Sequence, residues 1–322
     1  MAEPGKKNYI MYFEAHIKPF KEHVSLLESL VMKTLIFILS SFVIACISGK
    51  TSSLLQQEPA RKNIVIGTYG SPPTFKGAIQ YDSLVAQLKD LKANTYNWLI
   101  MPDAKSFEQL KEFLPVAKKN GIDIWATLMP PSELTDKAEQ YANNDMRTWA
   151  ADLAALSLTY SNFKAWSIDD FVHNLKTYTP QYVKEFQEAA KKINPAFKFY
   201  PVCYYKFVDQ KFVTDYASRI DGIVFPYRNE SSAKADLTNA SHVANEINTL
   251  KNDFGKNFPV FLDVYSSRHS QYGDPSKEYI SQVIQAGMQN ADGIIIYRHP
   301  SPKWDAEKYQ AIRTAIAKGI QK

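Results

Sequence analysis

Two adjacent carboxylates follow a short apolar run at the middle of the 322-residue sequence. Residues 163–171 have the sequence FKAWSIDDF, so Asp169 and Asp170 stand at the exit of a predicted buried strand. A third acid, Asp263, lies inside the apolar run FLDVY, where a solvated surface carboxylate is not expected. Carboxyl groups that meet in one pocket can act as proton donor, general base or nucleophile. The sequence therefore predicts carboxylate chemistry.

Eight apolar runs alternate with amphipathic helical segments along the chain. The predicted strands are residues 63–69, 95–101, 122–128, 163–171, 197–204, 221–227, 258–265 and 291–297. The predicted helices are residues 81–92, 106–120, 135–160, 180–193, 208–219, 233–254, 276–290 and 304–320. Near-continuous apolar strands indicate a parallel sheet buried on both faces, and eight of them favour closure into a single-domain α/β fold, the (β/α)8 TIM barrel, over residues 63–322.

The C-terminal ends of the strands meet at one mouth of such a barrel, which predicts where the acids gather. Asp169 shares the strand parity of small Ala165 and Ser167, so we expect it to point toward the barrel axis. Asp170 is expected to reach the mouth through the following turn. The alternative for either residue is a structural role, as a cap or a loop tie.

Strands four and seven lie on opposite sides of the mouth, so Asp263 is the predicted partner of the aspartate pair. Glu230, which follows strand six, is the substitute partner. The alternative for Asp263 is an ion pair with Arg228 or Arg298 that stabilises the barrel.

The other strand exits carry aromatic and cationic residues. Aromatic rings stack on the C–H faces of sugars, while polar groups bind the hydroxyls at the edge. The predicted substrate-binding residues are Tyr69, Tyr204, Tyr205, Lys206, Tyr227, Arg228, Tyr265, Tyr297, Arg298 and His299. Alternatively, the tyrosines fill the top of the barrel, and the cations either pair with the aspartates or bind an acidic group on a sugar.

The strand pattern with acids at the ends of strands four and seven resembles the large TIM-barrel glycoside-hydrolase families. The segment WSIDDF is similar to strand-four motifs of uncharacterised sugar-hydrolase-like bacterial lipoproteins. This resemblance implies hydrolysis of a glycosidic bond by a carboxylate pair, with a carbohydrate as partner and no cofactor. Families with this arrangement usually carry Glu at both positions, whereas this chain has Asp, and the chitinase-like series DxxDxDxE is absent. Families with a strand-four Asp nucleophile commonly place their acid after strand six, which keeps Glu230 as a candidate.

Two other functions remain open from the sequence. A catalytically silent glycan-binding or structural barrel would keep the aromatic residues without a correctly spaced acid pair. A metal site would use Asp170 with His173, His269 and His299, but strand one lacks an HxH pair and HExxH is absent, so no metal is predicted. GxGxxG, GxxxxGK and GxSxG are also absent, which disfavours nucleotide and nucleophile-elbow chemistry.

The region before the barrel has the features of a lipoprotein leader. A lysine and a short apolar run precede Val43-Ile44-Ala45-Cys46, which resembles the bacterial lipobox, in which the cysteine is lipidated. We predict an over-extended start at residues 1–31, a signal peptide at 32–46 and a flexible tether at 47–62. The protein is thus expected to be exported and membrane-anchored through Cys46, on the periplasmic or cell-surface side.

Composition limits the remaining classes. Hydrophobic residues make up 45% of the chain and charged residues 22%, as in an ordinary globular protein. The net charge of +5 is spread among acids, so no nucleic acid partner is predicted. Cys203 lies in an apolar strand and is expected to be a packed thiol.

Overall fold

The computed structural model describes residues 64–101, 104–134 and 144–321. The predicted signal peptide, Cys46 and the tether lie outside the described residues. Within the described part of the chain, no helix is both long enough and apolar enough to span a membrane.

The core of the molecule is a parallel eight-stranded sheet. Its strands are β1 (Val65–Gly70), β2 (Thr95–Ile100), β3 (Asp123–Leu128), β4 (Phe163–Ile168), β5 (Lys198–Phe199), β6 (Ile223–Pro226), β7 (Val260–Tyr265) and β8 (Gly293–Tyr297). They are hydrogen-bonded in the order β5-β4-β3-β2-β1-β8-β7-β6. Val202 forms a parallel bridge with Val224, and the Cys203 amide donates to the Val224 carbonyl at 2.8 Å, which joins the two edges. The sheet is therefore a nearly closed barrel, and the predicted fold class is confirmed.

Eight described helices cover the strands. They are α1 (Tyr81–Asp90), α2 (Ala104–Lys119), α3 (Met146–Thr159), α4 (Pro180–Ile193), α5 (Gln210–Tyr216), α6 (Val243–Phe254), α7 (Lys277–Asn290) and α8 (Ala306–Gln321). The side chains of Asp145, Thr179 and Ser276 each accept a backbone N–H at the start of their helix, where the first amides lack intrahelical partners. A two-stranded hairpin, Thr74–Phe75 with Ala78–Ile79, connects β1 to α1.

Strand five is much shorter than predicted from its apolar run. Only Lys198–Phe199 pair with β4 as a regular strand. Pro201 has no N–H to donate, so the ladder is interrupted there. Backbone pairing continues in single bonds, from Val202 N to the Ile168 carbonyl at 3.0 Å and from Cys203 N to Val224.

The helix before β7 begins about ten residues later than predicted. Residues 233–242 form turns, and α6 starts at Val243. Asp236 explains the difference, because its Oδ1 accepts the amides of Thr238 and Asn239 at 2.8 and 2.9 Å. Its Oδ2 accepts Asn229 Nδ2 at 2.6 Å. A carboxylate that bonds the backbone in this way competes with helix formation.

The end of the barrel at the strand starts is organised for stability. Asp221, just before β6, accepts Lys191 Nζ at 2.9 Å and the Phe199 amide at 3.0 Å. Asp292, just before β8, pairs with Lys251 at 2.9 Å. These acids join helices to strands. The acids that could do chemistry lie at the opposite end.

Cys203 is fully buried and is a free thiol. Burial raises its pKa well above the usual value. The expectation of a packed, unreactive thiol is consistent with this environment.

Candidate active site

Asp169 lies at the mouth of the barrel, directly after β4. Its amide donates to the Leu128 carbonyl at 2.9 Å, which extends the β3–β4 ladder by one residue. The hydroxyl of Tyr69, from β1, donates to Asp169 Oδ2 at 2.6 Å. Burial raises the pKa of Asp169 to about 6, and the hydrogen bond from Tyr69 opposes that increase. Asp169 is therefore a carboxylate that ionises just below neutral pH.

Asp170 is held by its neighbours in a left-handed turn with φ of 43°. The hydroxyl of Tyr204 donates to its Oδ1, and His173 Nδ1 lies 3.7 Å from the same oxygen. Burial opposes ionisation, but the nearby imidazole of His173 and the hydrogen bond from Tyr204 outweigh it and lower the pKa of Asp170 below its usual value. Asp170 is thus an ionised carboxylate with little freedom to move.

Asp263 lies one layer deeper, inside β7. It is only 4% exposed, and its Oδ1 has no hydrogen-bond partner in the described residues. Burial and then repulsion from Asp169 raise its pKa well above the usual value. Asp263 therefore keeps its proton at pH values where an ordinary aspartate is ionised.

Glu133 is a site residue that the sequence reasoning missed. It ends a short 3-10 turn, Pro131–Glu133, that follows β3. It is exposed at the rim of the mouth, yet partial burial raises its pKa to about 7, with added repulsion from Asp169 and Asp170. The only signal in the sequence is an acid five residues beyond a strand end, which is the kind of position that made Glu230 a candidate.

Glu230 is part of a buried ion pair. Its Oε1 bonds Arg228 Nη2, and its Oε2 accepts the Lys206 amide at 3.1 Å. Both charged side chains are almost fully buried, and the guanidinium carbon of Arg228 lies 3.7 Å from the ring centroid of Tyr204. Arg228 therefore pairs with Glu230 and not with Asp263.

Tyrosine rings form the floor of the mouth. The ring centroids of Tyr69 and Tyr297 are 5.5 Å apart, and those of Tyr265 and Tyr297 are 5.3 Å apart. Burial raises the pKa of each of these three hydroxyls, and both Asp169 and Asp263 raise it further. The two aspartates therefore lie close to the same group of rings.

Some predicted binding residues lie elsewhere. Tyr227 is fully buried on the outer side of the sheet, where its ring stacks on Tyr279 and its hydroxyl donates to the Asn239 carbonyl at 2.7 Å. Tyr205 and Lys206 belong to a 3-10 turn after β5. Strand parity explains Tyr227, because it is one residue beyond the inward-facing position.

His299 is a neutral structural residue in the wall of the mouth. Its Nδ1 lies 2.8 Å from Thr68 Oγ1 and its Nε2 lies 2.7 Å from Gln87 Oε1. Burial lowers its pKa to about 4. His299 therefore links β1, β8 and α1 without a positive charge near neutral pH.

The three histidines of the alternative metal site do not converge. His173 lies beside Asp170, His299 is bonded as above, and His269 Nδ1 accepts the Gln271 amide at 3.2 Å. Residues 64–101, 104–134 and 144–321 contain no group of three or more His, Cys, Asp or Glu side chains placed to hold a metal ion.

A cleft of about 660 Å³ opens at the mouth. Asp169, Glu133, Tyr69 and Tyr297 line its inner end. Its outer end passes between the β1–α1 hairpin and the loop that follows β8. The volume falls within the usual range of ligand-binding pockets.

No protein-family model and no curated protein sequence match this chain. Among solved structures, it is similar to the endo-β-1,4-mannanase from Thermotoga petrophila, with a TM-score of 0.57 and 13% identity over 80% of this chain and 77% of that one. A GH113 β-1,4-mannanase gives a TM-score of 0.55 and 10% identity over 79% and 99% of the two chains. An endocellulase from Pyrococcus horikoshii gives 0.51 and 11% over 78% and 91%.

These similarities, at 13% identity or less, show the fold of the chain, which is a (β/α)8 TIM barrel. A D-psicose 3-epimerase from Clostridium cellulolyticum H10 is also similar, with a TM-score of 0.50 and 11% identity over 80% and 99% of the chains. Because one fold carries both activities, the fold of this chain does not determine its function.

Proposed function

We propose that this protein hydrolyses a glycosidic bond of a carbohydrate bound in the cleft. Asp169 is the general base or nucleophile, and Glu133 is the proton donor. The observation that carries the proposal is that two carboxyl groups with raised pKa values, about 6 and about 7, line one cleft beside an ionised third. Carboxyls held in different protonation states at neutral pH are what acid–base cleavage of a glycoside requires.

In this mechanism Asp169 acts in its ionised form. The Tyr69 hydroxyl orients Oδ2 and stabilises the negative charge, so the carboxylate can attack the anomeric carbon or remove a proton from a water that attacks it. The bond between the anomeric carbon and the leaving oxygen breaks, and the oxygen takes the proton of Glu133. If Asp169 attacked the carbon itself, a water deprotonated by Glu133 then displaces Asp169, which completes the hydrolysis and restores both carboxyl groups. If a water attacked, Asp169 holds its proton and releases it to solvent, and Glu133 is protonated again from solvent. Ionised Asp170 supports this role, because its charge keeps the proton on Glu133.

Asp263 is the second candidate for proton donor. Its raised pKa keeps the carboxyl protonated, and its Oδ1 has no hydrogen-bond partner among the described residues, which suits a donor. However, it is buried beneath the tyrosine rings, whereas Glu133 is exposed in the cleft. The proposed pair therefore replaces Asp263 with Glu133 and keeps Asp169.

Single substitutions test these roles on a panel of neutral and acidic glycans. Asp169→Asn should abolish turnover, and Glu133→Gln should lower kcat by a factor of 100 or more. Activated glycosides, whose leaving groups need no proton, should be cleaved almost normally by Glu133→Gln. Asp263→Asn should leave kcat within about tenfold if Glu133 is the donor. Glu188→Gln on the exposed face of α4 is the matched control.

The competing function is a glycan-binding barrel without catalysis. It would be favoured if the wild-type protein bound a glycan of the panel and released no product, with affinity unchanged by Asp169→Asn.

We also propose that the chain is exported and anchored through a lipid on Cys46. The support is the lipobox-like segment at residues 43–46. Incorporation of labelled fatty acid in the producing bacterium should occur with the wild-type sequence and be lost with Cys46→Ala. Equal labelling of both would contradict the anchor.

A further inference from the structure

The outer end of the cleft carries two exposed aromatic rings. Phe75, on the β1–α1 hairpin, is 63% exposed, and Trp304, between β8 and α8, is 67% exposed. Both line the same cleft as Asp169. Large apolar side chains that are this exposed contribute little to the stability of the fold. Exposed aromatic rings are surfaces on which sugar rings stack.

Two cations stand beside these rings. The guanidinium carbon of Arg298 lies 5.6 Å from the ring centroid of Trp304, and Lys303 lines the same end of the cleft. Both side chains are exposed. No ion pair of either cation occurs within the described residues, unlike Arg228, which pairs with Glu230, and Lys308, which pairs with Asp274.

The cleft is therefore electrically polarised along its length. Its inner end holds Asp169 with Glu133 and lies close to ionised Asp170, and its outer end holds Arg298 and Lys303. An anionic group bound at the inner end would be repelled by the carboxylates. The same group would be attracted at the outer end, where neither cation has an ion-pair partner among the described residues.

We propose that the outer end of the cleft binds an acidic sugar residue of the substrate. Arg298 and Lys303 bind its anionic group, and Trp304 and Phe75 stack on sugar rings of the substrate. The anionic group is a carboxylate, as in a uronate, or a sulfate ester, and both accept hydrogen bonds from a guanidinium. This assignment rests on the proposed function for the position of the cleaved bond. It adds the substrate class, which is an anionic polysaccharide rather than a neutral one.

Binding to the inactive Asp169→Asn protein tests the proposal without turnover. The probes are a tetragalacturonate, a sulfated galactan tetrasaccharide and neutral mannotetraose, measured by calorimetry at 50 and 300 mM salt. We expect at least one acidic probe to bind ten times more tightly than mannotetraose, with affinity that falls at high salt. The acidic probe that binds identifies the source of the anion.

Variants at the outer end separate charge from stacking. Arg298→Gln should weaken the acidic probe by tenfold or more and leave the neutral one unchanged, while Trp304→Ala should weaken both. Arg313→Gln, which removes an exposed arginine paired with Asp90, is the matched control. If Asp169→Asn is unstable, the same binding measurements can be made on wild-type protein at low temperature, where turnover is slow.

The proposal is overturned if no acidic probe binds, if mannotetraose binds as tightly, or if Arg298→Gln affects both classes equally. Tight binding of an acidic probe that wild-type protein does not cleave would defeat the hydrolase proposal and leave this one standing. Cleavage of neutral glycans alone would support the hydrolase proposal and defeat the proposal of an acidic substrate.

Discussion

The Tyr69–Asp169 hydrogen bond couples a strand on one side of the mouth to the central carboxylate. It favours the ionised form of Asp169 against the effect of burial. Removing the hydroxyl therefore changes the pH at which Asp169 works as well as its orientation.

Tyr69→Phe keeps the ring that packs on Tyr297 and removes the donor. The pKa of Asp169 should rise above about 6, so the acidic limb of the pH–kcat/KM profile should move to higher pH by about one unit, or about 1.4 kcal/mol. Tyr309→Phe, which removes a hydroxyl bonded to Asp90 on the surface, is the control. An unchanged acidic limb would show that Asp169 does not titrate in catalysis.

Asp263→Asn should stabilise the protein more as pH rises. Above about pH 4 the unfolded chain releases this proton while the folded protein retains it, so the wild type loses stability up to the raised pKa of the folded state. The amide cannot ionise and avoids the loss, which is about 1.4 kcal/mol per pH unit. Urea unfolding at pH 4, 6 and 8 measures the difference.

A difference between Asp263→Asn and wild type that stays constant with pH would mean that Asp263 is ionised in the fold. Glu188→Gln, on an exposed helix face, controls for the change from acid to amide.

At the residue scale, the alternation of side chains along a strand is what allowed the position of Asp169 to be predicted from the sequence. Asp169 follows the parity of Ala165 and Ser167 and lies at the mouth, as expected. Its pKa is set first by burial and then by Tyr69 and Asp170, and of these two residues only Asp170 is adjacent in sequence. Glu133 was missed because its nearness to Asp170 depends on how the loop after β3 folds.

At the element scale, the Arg228–Glu230 pair fixes the exit of β6 to the turn after β5. Glu230 receives the Lys206 amide, and Arg228 covers the Tyr204 ring that holds Asp170. The pair therefore helps to position Tyr204 and, through it, Asp170.

Glu230→Gln should destabilise the fold by about 3 kcal/mol, because it leaves the buried charge of Arg228 uncompensated. Arg228→Gln combined with Glu230→Gln should recover part of the loss, since neither charge is then alone. Urea unfolding measures both. Activity per folded molecule should fall less than tenfold in Glu230→Gln; a loss of a thousandfold or more would restore Glu230 as the catalytic acid.

Apolar runs in the sequence predict the strands better than the helix boundaries. Apolar runs located all eight strands, because a parallel strand is buried on both faces. They overestimated β5, where Pro201 removes an amide, and α6, where Asp236 captures backbone amides. Both errors arise from single residues whose hydrogen bonding overrides the regional pattern.

At the scale of the whole molecule, the pairing of β1 with β8 depends on a close approach of the two strands at Gly293. A Cβ at this position would lie 2.6 Å from the Val65 carbonyl oxygen, which belongs to the backbone of β1 and cannot move aside. Gly293→Ala should therefore cost about 2–3 kcal/mol and lower Tm.

Gly319→Ala on α8 is the contrasting control. Its added Cβ meets only the flexible side chain of Met288, and alanine favours a helix over glycine by about 1 kcal/mol. Thermal unfolding should therefore give an unchanged or higher Tm for Gly319→Ala. Equal losses for both variants would mean that the β1–β8 pairing tolerates a side chain at position 293.

The fully buried thiol of Cys203 can be used to measure local opening of the barrel. A maleimide cannot reach it while β5 and β6 stay joined, so in a Cys46→Ala chain the labelling rate should follow the fraction of molecules in which that seam is open. Ligands that occupy the cleft without touching the seam should slow labelling only as far as they stabilise the entire domain.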